Sequence, residues 1–272
     1  MEILEPYPYE SYFPKIEFPE RVREWKFDTD VDDLFDMAEE NADGTLNIQI
    51  DYKVVTNILL SIYGNVPAKE NEAIVEYLEE ATEQGVDHMD AINAQLNNIV
   101  YLYNELNNFK TVDYNDLPFA LYRGFRTNTA LPLFARLKRE NKMKIGSYVH
   151  IPTFMSTSMI EETSLRFTGD NYILWKIIVP VDKMNIFKYT NISDADYNIL
   201  GNFDLFNSEA EILINIGTTL KCIDIINSYT SNYRFPKADG TFEIKTKKCQ
   251  LYVYEFVGYK DVDVIEHLKT FH

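Results

Sequence analysis

The spacing of apolar residues changes once along this chain. From Asp28 to about residue 108 they recur every three or four positions, the period of a helix face. Val31, Leu34, Phe35 and Ala38 form a first stripe that Asp43-Gly44 closes, and Val54 to Tyr63 is a short apolar helix ended by Gly64. In the helix that follows, Asn65 caps, Pro67 fits the first turn, Ile74, Tyr77, Leu78 and Ala81 make the stripe, and Gly85 ends it. Ile92, Leu96, Ile99, Tyr103 and Leu106 then step by four, three, four and three along one amphipathic face. Such a face packs on a core, with a partner-binding groove as the alternative.

After Asn115-Asp116 the texture is that of strands: Phe119 to Phe125, Tyr148 to Thr157, Tyr172 to Val181, Glu209 to Ile216, Leu220 to Ile226 and Gln250 to Gly258. One helix, Leu131 to Lys142, follows the first of them. Helices followed by strands, with few alternations, predict an α+β fold with an antiparallel or mixed sheet. Residues 1 to 27 carry prolines and aromatics without periodicity, which suggests an extended leader packed on something else.

Composition narrows the class. With 272 residues, 46% of them hydrophobic, the chain can bury a sizeable core. The start is acidic, with no basic and apolar signal-peptide pattern, and the most apolar run is about half the roughly 20 residues of a membrane-spanning helix. Two cysteines make no disulfide framework, and four histidines form no zinc-type pair, so no metal is expected. The net charge of −17 is uneven: 26 acidic and 7 basic residues lie before residue 119, leaving the remainder near +2. The first part therefore repels nucleic acid and membrane phosphate, while the second tolerates an anionic ligand.

Three short stretches hold candidate chemistry. In SEAEILINIG, strand alternation puts Glu209 and Glu211 on one face, roughly 6 to 7 Å apart, where like charges repel. An ordinary surface face is the alternative. In ALYRGF, Arg123 sits among apolar residues and wants an anion, and Gly124 lets backbone come close to a ligand; a structural ion pair would also explain the arginine. In FMSTSM, Ser156 and Ser158 share a strand face with Thr157 on the other, and their hydroxyls can orient a carboxylate or end the strand in a turn.

Together, LYRGF, FMSTSM and SEAEILINIGTTLKCIDI resemble the arginine, serine and glutamate blocks of mono-ADP-ribosyltransferases of the toxin-like and viral kind. The resemblance covers about residues 55 to 260. It implies that family's fold, N-terminal helices followed by a split antiparallel or mixed sheet around an NAD+ cleft. It places an acidic extension at 1–52 and the catalytic domain at 53–272, and makes NAD+ the substrate. By similarity Glu211 stabilises the ribosyl cation, Ser156 holds Glu211, Arg123 grips the phosphates or adjoining ribose, and the Gly124 backbone bonds the nicotinamide amide. Thr157 and Ser158 complete the cofactor-binding block, and Phe167 stacks on nicotinamide.

Glu209, in the Glu-x-Glu arrangement, implies arginine as the acceptor. Phe203 and Phe206, in the Asn198–Asn207 stretch, fall where the family reads its protein target, with core packing as their alternative. The implied enzyme is a monomer that uses neither nucleic acid nor membrane and acts in the cytoplasm or after delivery into a host cell. A catalytically silent relative and an NAD+ glycohydrolase are the rival expectations.

Overall fold

The computed structural model describes residues 25, 31–64, 71–108, 118–125, 137, 140–168, 173–192, 210–237 and 241–260. The chain divides into two compact units, one spanning 17–109 with 152–154 and 261–272, the other 1–16, 110–151 and 155–260.

The first unit is helical, with helices at Val31–Asp36, Tyr52–Gly64, Glu72–Glu83 and His88–Asn108. The expected apolar faces are its core: Val54, Ile58 and Leu59, then Ile74, Tyr77 and Ala81, then Ile92, Leu96, Ile99 and Leu106 are buried. Asp51 caps the second helix, its Oδ1 accepting the N–H groups of Lys53 (2.7 Å) and Val54 (3.0 Å). A buried polar clamp holds the segment before it. Gln95 accepts from the Asp51 N–H and donates to the Gln49 carbonyl, and Asn98 donates to the Ile48 carbonyl. Buried amides of this kind are satisfied or they are costly, and these are satisfied.

Two expectations here need correction. The first stripe does not run to Asp43-Gly44: its helix stops at Asp36, and β1 (Glu39–Glu40) pairs antiparallel with β2 (Leu46–Asn47). Asp43 Oδ1 accepts from both the N–H and the hydroxyl of Thr45, and Gly44 takes φ +82°, so the Asp-Gly pair is a hairpin turn and not a helix end. The helix read from Asn65-Pro67 begins at Glu72 after Asn71, and residues 65–70 lie outside the described set. Its end is as expected. Gly85 at φ +77° donates to Thr82 O, and Val86 donates to Ala81 O, a glycine-capped terminus.

The second unit is an eight-stranded mixed sheet formed by β3 (Phe119–Phe125), β4 (Tyr148–His150), β5 (Met155–Ser158), β6 (Ile173–Val179), β7 (Tyr189–Asn191), β8 (Glu211–Ile214), β9 (Thr218–Pro236) and β10 (Phe242–Tyr259). Its order is β4-β9-β10-β6-β3-β5-β8-β7. β10 and β6 run parallel and the other neighbours antiparallel. With the helices this is an α+β fold. Trp175, Ile177, Ile212, Ile214, Tyr254 and Phe256 anchor a core on one face of the sheet.

The stretch Tyr148 to Thr157 is two strands in different places, not one. β4 pairs with β9 at one edge, while β5 lies between β3 and β8. Pro152 offers no N–H to continue the first ladder, and residues 152–154 belong to the helical unit, where Phe154 meets Trp25 edge-on at 5.4 Å. The strands read as Leu220–Ile226 and Gln250–Gly258 are the inner parts of a much longer hairpin, β9 with β10. The helix expected at Leu131 to Lys142 lies mostly outside the described residues; Leu137 is helical and Glu140-Asn141 is a turn.

Candidate active site

The sheet is nearly interrupted between β3 and β5, which share a single residue pair, Tyr122 with Ser158. Continuing that register would set Gly124 opposite Ser156. Instead the Arg123 side chain supplies the missing donor, its Nη1 donating to the Ser156 carbonyl. The gap in the ladder is thus closed by a guanidinium.

Arg123 lies over the Phe125 ring, 5.3 Å from its centroid, two residues on along the same strand face. Desolvation pushes its pKa down to about 10, against the opposing pull of the Glu211 carboxylate. It is still a cation near neutral pH, at a site that also holds an anion.

Across β5 and β8 the register sets Ser158 opposite Glu211 and Ser156 opposite Leu213. Cross-strand partners share a face, so both serines and Glu211 lie on one side of this part of the sheet. The three hydroxyls of the Ser-Thr-Ser run differ in their work. Thr157 is buried and its Oγ1 donates to the Ile212 carbonyl at 2.8 Å, tying β5 to β8. Ser158 Oγ accepts the Ile160 N–H at 2.9 Å and turns the chain into the helix Glu161–Arg166. Ser156 is half-buried, with its carbonyl on Arg123.

Glu211 opens β8. Its carbonyl accepts the Ile192 N–H at 3.0 Å, and the Ala210 carbonyl before it accepts the Met159 N–H at 3.1 Å, so its backbone is held from both neighbouring segments. Ile212, Leu213 and Ile214 are all fully buried, so both faces of this strand are covered. An ordinary surface face therefore does not explain the glutamate. Ala210 is buried with φ +41°, a left-handed conformation uncommon for a residue with a side chain. Glu209, Phe203, Phe206 and the rest of Asn198–Asn207 lie outside the described residues.

Gly124 is required by space. A Cβ there would stand 2.0 Å from the Ser164 carbonyl oxygen, 2.8 Å from the Thr168 nitrogen and 3.0 Å from the Phe167 carbonyl carbon. All three belong to the end of the helix Glu161–Arg166, so β3 and this helix are in backbone contact. Phe167, half-buried, directly follows the helix and is brought beside Gly124.

The apolar spacing gives no sign of that helix, which is short and starts after Ile160 without a side-chain cap. Its two glutamates brace the β9–β10 hairpin. Tyr229 donates its phenol to Glu161 at 2.8 Å, and Arg234 donates through Nε and Nη2 to the two oxygens of Glu162, at 3.0 and 2.9 Å. Burial alone would raise the Glu162 pKa, but the hydrogen bonds and charge of Arg234, with Arg166 adding to them, hold it below the ordinary 4.5.

A depressed carboxylate contributes stability that is present above its unfolded pKa and is lost as pH falls through the lower folded value. Glu162→Gln should accordingly speed amide exchange in residues 229–236 at pH 7 about fivefold, from the loss of roughly 1 kcal/mol. Wild type should show the same loss only below about pH 4.5. Equal protection of the two proteins at pH 7 would show that the brace contributes nothing.

Among the described residues no group of three or more His, Cys, Asp or Glu side chains is placed to hold a metal, and no helix is long and apolar enough to cross a membrane. No protein-family model and no curated protein matches the chain. Solved structures do. The catalytic domain of VsdC from Aeromonas hydrophila is 20% identical, with 76% of this chain and 93% of that one covered at a TM-score of 0.42. The Salmonella SpvB ATR domain is 16% identical over 76% of this chain and 100% of that one, TM-score 0.42. Vis toxin, an ADP-ribosyltransferase from Vibrio splendidus, is 14% identical over 94% and 93%, TM-score 0.38.

Proposed function

We propose that the chain is an NAD+-dependent mono-ADP-ribosyltransferase that modifies arginine side chains of a target protein, in a host cell if delivered there. The observation that carries this is the grouping of Arg123, Ser156 and Glu211 at the interrupted ladder between β3 and β5. A cation on β3 and an anion on β8, with only β5 between them, suit a substrate with an anionic diphosphate at one end and a cationic nicotinamide ribose at the other.

In this reading the bond from ribose C1′ to the nicotinamide nitrogen breaks, and its electron pair leaves with nicotinamide, which becomes neutral. Positive charge grows on the ribose, as it does in glycoside hydrolysis. Glu211 faces that charge from a fixed position, and a carboxylate already oriented in a desolvated site acts more strongly than one in water. Arg123 holds the phosphates or adjoining ribose. Ser156 positions Glu211 from the same sheet face. The Gly124 backbone and Phe167, already adjacent, take the nicotinamide amide and ring.

A new bond then forms from C1′ to a guanidinium nitrogen of the acceptor, whose proton passes to Glu209. A guanidinium is charged at neutral pH and a poor nucleophile, so a carboxylate must aim it and accept its proton. Phe203 and Phe206 contribute to reading the target. All of this lies in residues 53–272, and the acidic residues 1–52 carry no chemistry.

The test is incubation of the full chain with biotinylated NAD+ and a cell lysate, followed by identification of labelled proteins and of the labelled side chain. Glu209→Ala should keep nicotinamide release within about tenfold of wild type while abolishing arginine labelling. Label on a residue other than arginine would remove the acceptor assignment. Rapid nicotinamide release with no labelled protein would make the enzyme a glycohydrolase instead.

A further inference from the structure

The β9–β10 hairpin extends well past the sheet that it belongs to. β4 pairs with β9 only at residues 219–221, and β6 pairs with β10 only from Gln250 onward. From Tyr229 to Pro236 and from Phe242 to Cys249 the two strands pair with each other, and among the described residues no third strand joins them. An isolated two-stranded ribbon is marginal in water. This one is held by the helix Glu161–Arg166: Tyr229 and Arg234 bind its glutamates, and Lys247 Nζ donates to the Leu165 and Thr168 carbonyls at 3.3 and 2.6 Å.

Those attachments use one face of the ribbon and its edge. Tyr229, Tyr233 and Lys247 are half-buried against the helix side. The opposite face alternates with Tyr229 and Tyr233 and carries Arg234, half-buried as it reaches Glu162, together with Thr230, Asn232, Ile244, Thr246 and Lys248, all exposed, with Ile244 72% accessible. Phe242 and Phe235 at the outer end are also exposed, and Lys245 Nζ sits 3.5 Å above the Phe235 ring.

The arm's charge runs against that of the chain. Residues 227–249 hold Arg234, Lys237, Lys245, Lys247 and Lys248 against Asp239 and Glu243, in a protein of net charge −17. Arg234 and Lys247 are engaged by the helix and Lys245 pairs with Glu243 at 4.0 Å on the braced face, which leaves Lys248 on the face of Ile244 and the exposed Lys237 just past the end of β9. No carboxylate alternates onto the outward face.

We infer that this face docks the protein acceptor through an acidic surface with an apolar centre. The inference rests on the transferase reading and names the partner's chemistry. Three features favour a folded protein over a lipid surface. The apolar groups lie along the side of the ribbon, interleaved with threonine and asparagine. Thr246 and Asn232 hydrogen-bond across it at 2.7 Å, as polar groups do at a protein interface. The acidity of the rest of the chain opposes an anionic membrane.

The brace also gives the arm a fixed relation to the site. The helix that holds Glu161 and Glu162 is the one whose end touches Gly124, next to Arg123. A target held on the ribbon is therefore held in register with the site through one short rigid element. Rigid placement of this kind lowers the entropy cost of docking.

The full chain carrying Ile244→Asp and Lys248→Glu tests it. Both positions are exposed, so the melting temperature should not change. Nicotinamide release from NAD+ alone and ADP-ribosylation of agmatine, a small guanidine, should match wild type. Labelling of the lysate protein that wild type modifies should fall by more than about tenfold. Unchanged protein labelling would overturn the inference, as would equal loss of all three activities. Phosphatidylserine vesicle binding that the variant alone loses would overturn it in favour of a membrane. A wild type that releases no nicotinamide would overturn the reading of the site, and this acceptor surface with it.

Discussion

Glu211→Gln should lower nicotinamide release from NAD+ by about 10²- to 10³-fold, with little change in fold. Removing one preorganised electrostatic partner of a transition state has a cost of that order. Glutamine keeps the shape and hydrogen-bonding reach of the side chain and removes only its charge. The backbone of Glu211 is pinned by Ile192 on one side and by the register with Ser158 on the other, so the substitution leaves β8 in place.

The same change removes the charge that opposes desolvation of Arg123, so the Arg123 pKa should fall further below about 10. Substrate grip then weakens at high pH in the variant before it does in wild type. Nicotinamide release followed by chromatography, with kcat and KM separated, reads the first effect, and a pH profile above pH 8 reads the second. A kcat within about threefold of wild type would remove Glu211 from the chemistry.

Gly124→Ala is the strongest structural test. An added methyl would meet three backbone atoms, the nearest at 2.0 Å, and none is the end of a flexible side chain that can swing away. The helix Glu161–Arg166 or β3 must move. Overpacking of a tight site costs roughly 3 kcal/mol at the upper end, which for a unit of this size lowers the melting temperature by about 6–12 °C.

A moved helix carries Glu161 and Glu162 with it, so the hydrogen bonds to Tyr229 and Arg234 should loosen together. Calorimetry measures the first expectation, and amide exchange in the β9–β10 ribbon the second. A melting temperature within about 2 °C of wild type would mean that the contact at Gly124 is looser than its distances require. Because this glycine is also expected to present its backbone to nicotinamide, activity alone would not separate the two roles. Stability does.

The helical stripes were legible because a face buried on a core must repeat every three or four residues, and Ile74, Tyr77, Ala81, Ile92, Leu96, Ile99 and Leu106 do so without interruption. The Asp43-Gly44 hairpin was misread because Val31 to Ala38 has helical spacing, and the turn chemistry of Asp43 and Thr45 acts over only a few residues. The outer ribbon gave no strand pattern. With one face braced by polar bonds and the other exposed, Thr, Ser, Asn and Lys replace the apolar alternation that marks a half-buried strand.

The candidate site divides in the same way. Residue types at Arg123, Ser156 and Glu211, with glycine and hydroxyl neighbours, could be singled out from the sequence because a buried charge or a carboxylate in an apolar strand needs a reason. What could not be read was their arrangement. Strand order across the sheet is set by long-range pairing, and no local pattern records that β5 inserts between β3 and β8, or that the ladder from Tyr122 to Ser158 stops after one pair.

The sequence by itself determined which segments bury a face, where the acidic charge lies, and which few side chains are candidates for chemistry, since each of these follows from local spacing and residue type. Only the tertiary structure decided that Arg123 closes a gap in the sheet, that Gly124 is in backbone contact with a helix, and that Glu161 and Glu162 brace a long arm. Those facts depend on residues 33 to 72 positions apart in the chain, brought together by burial and strand pairing rather than by any pattern in their own neighbourhoods.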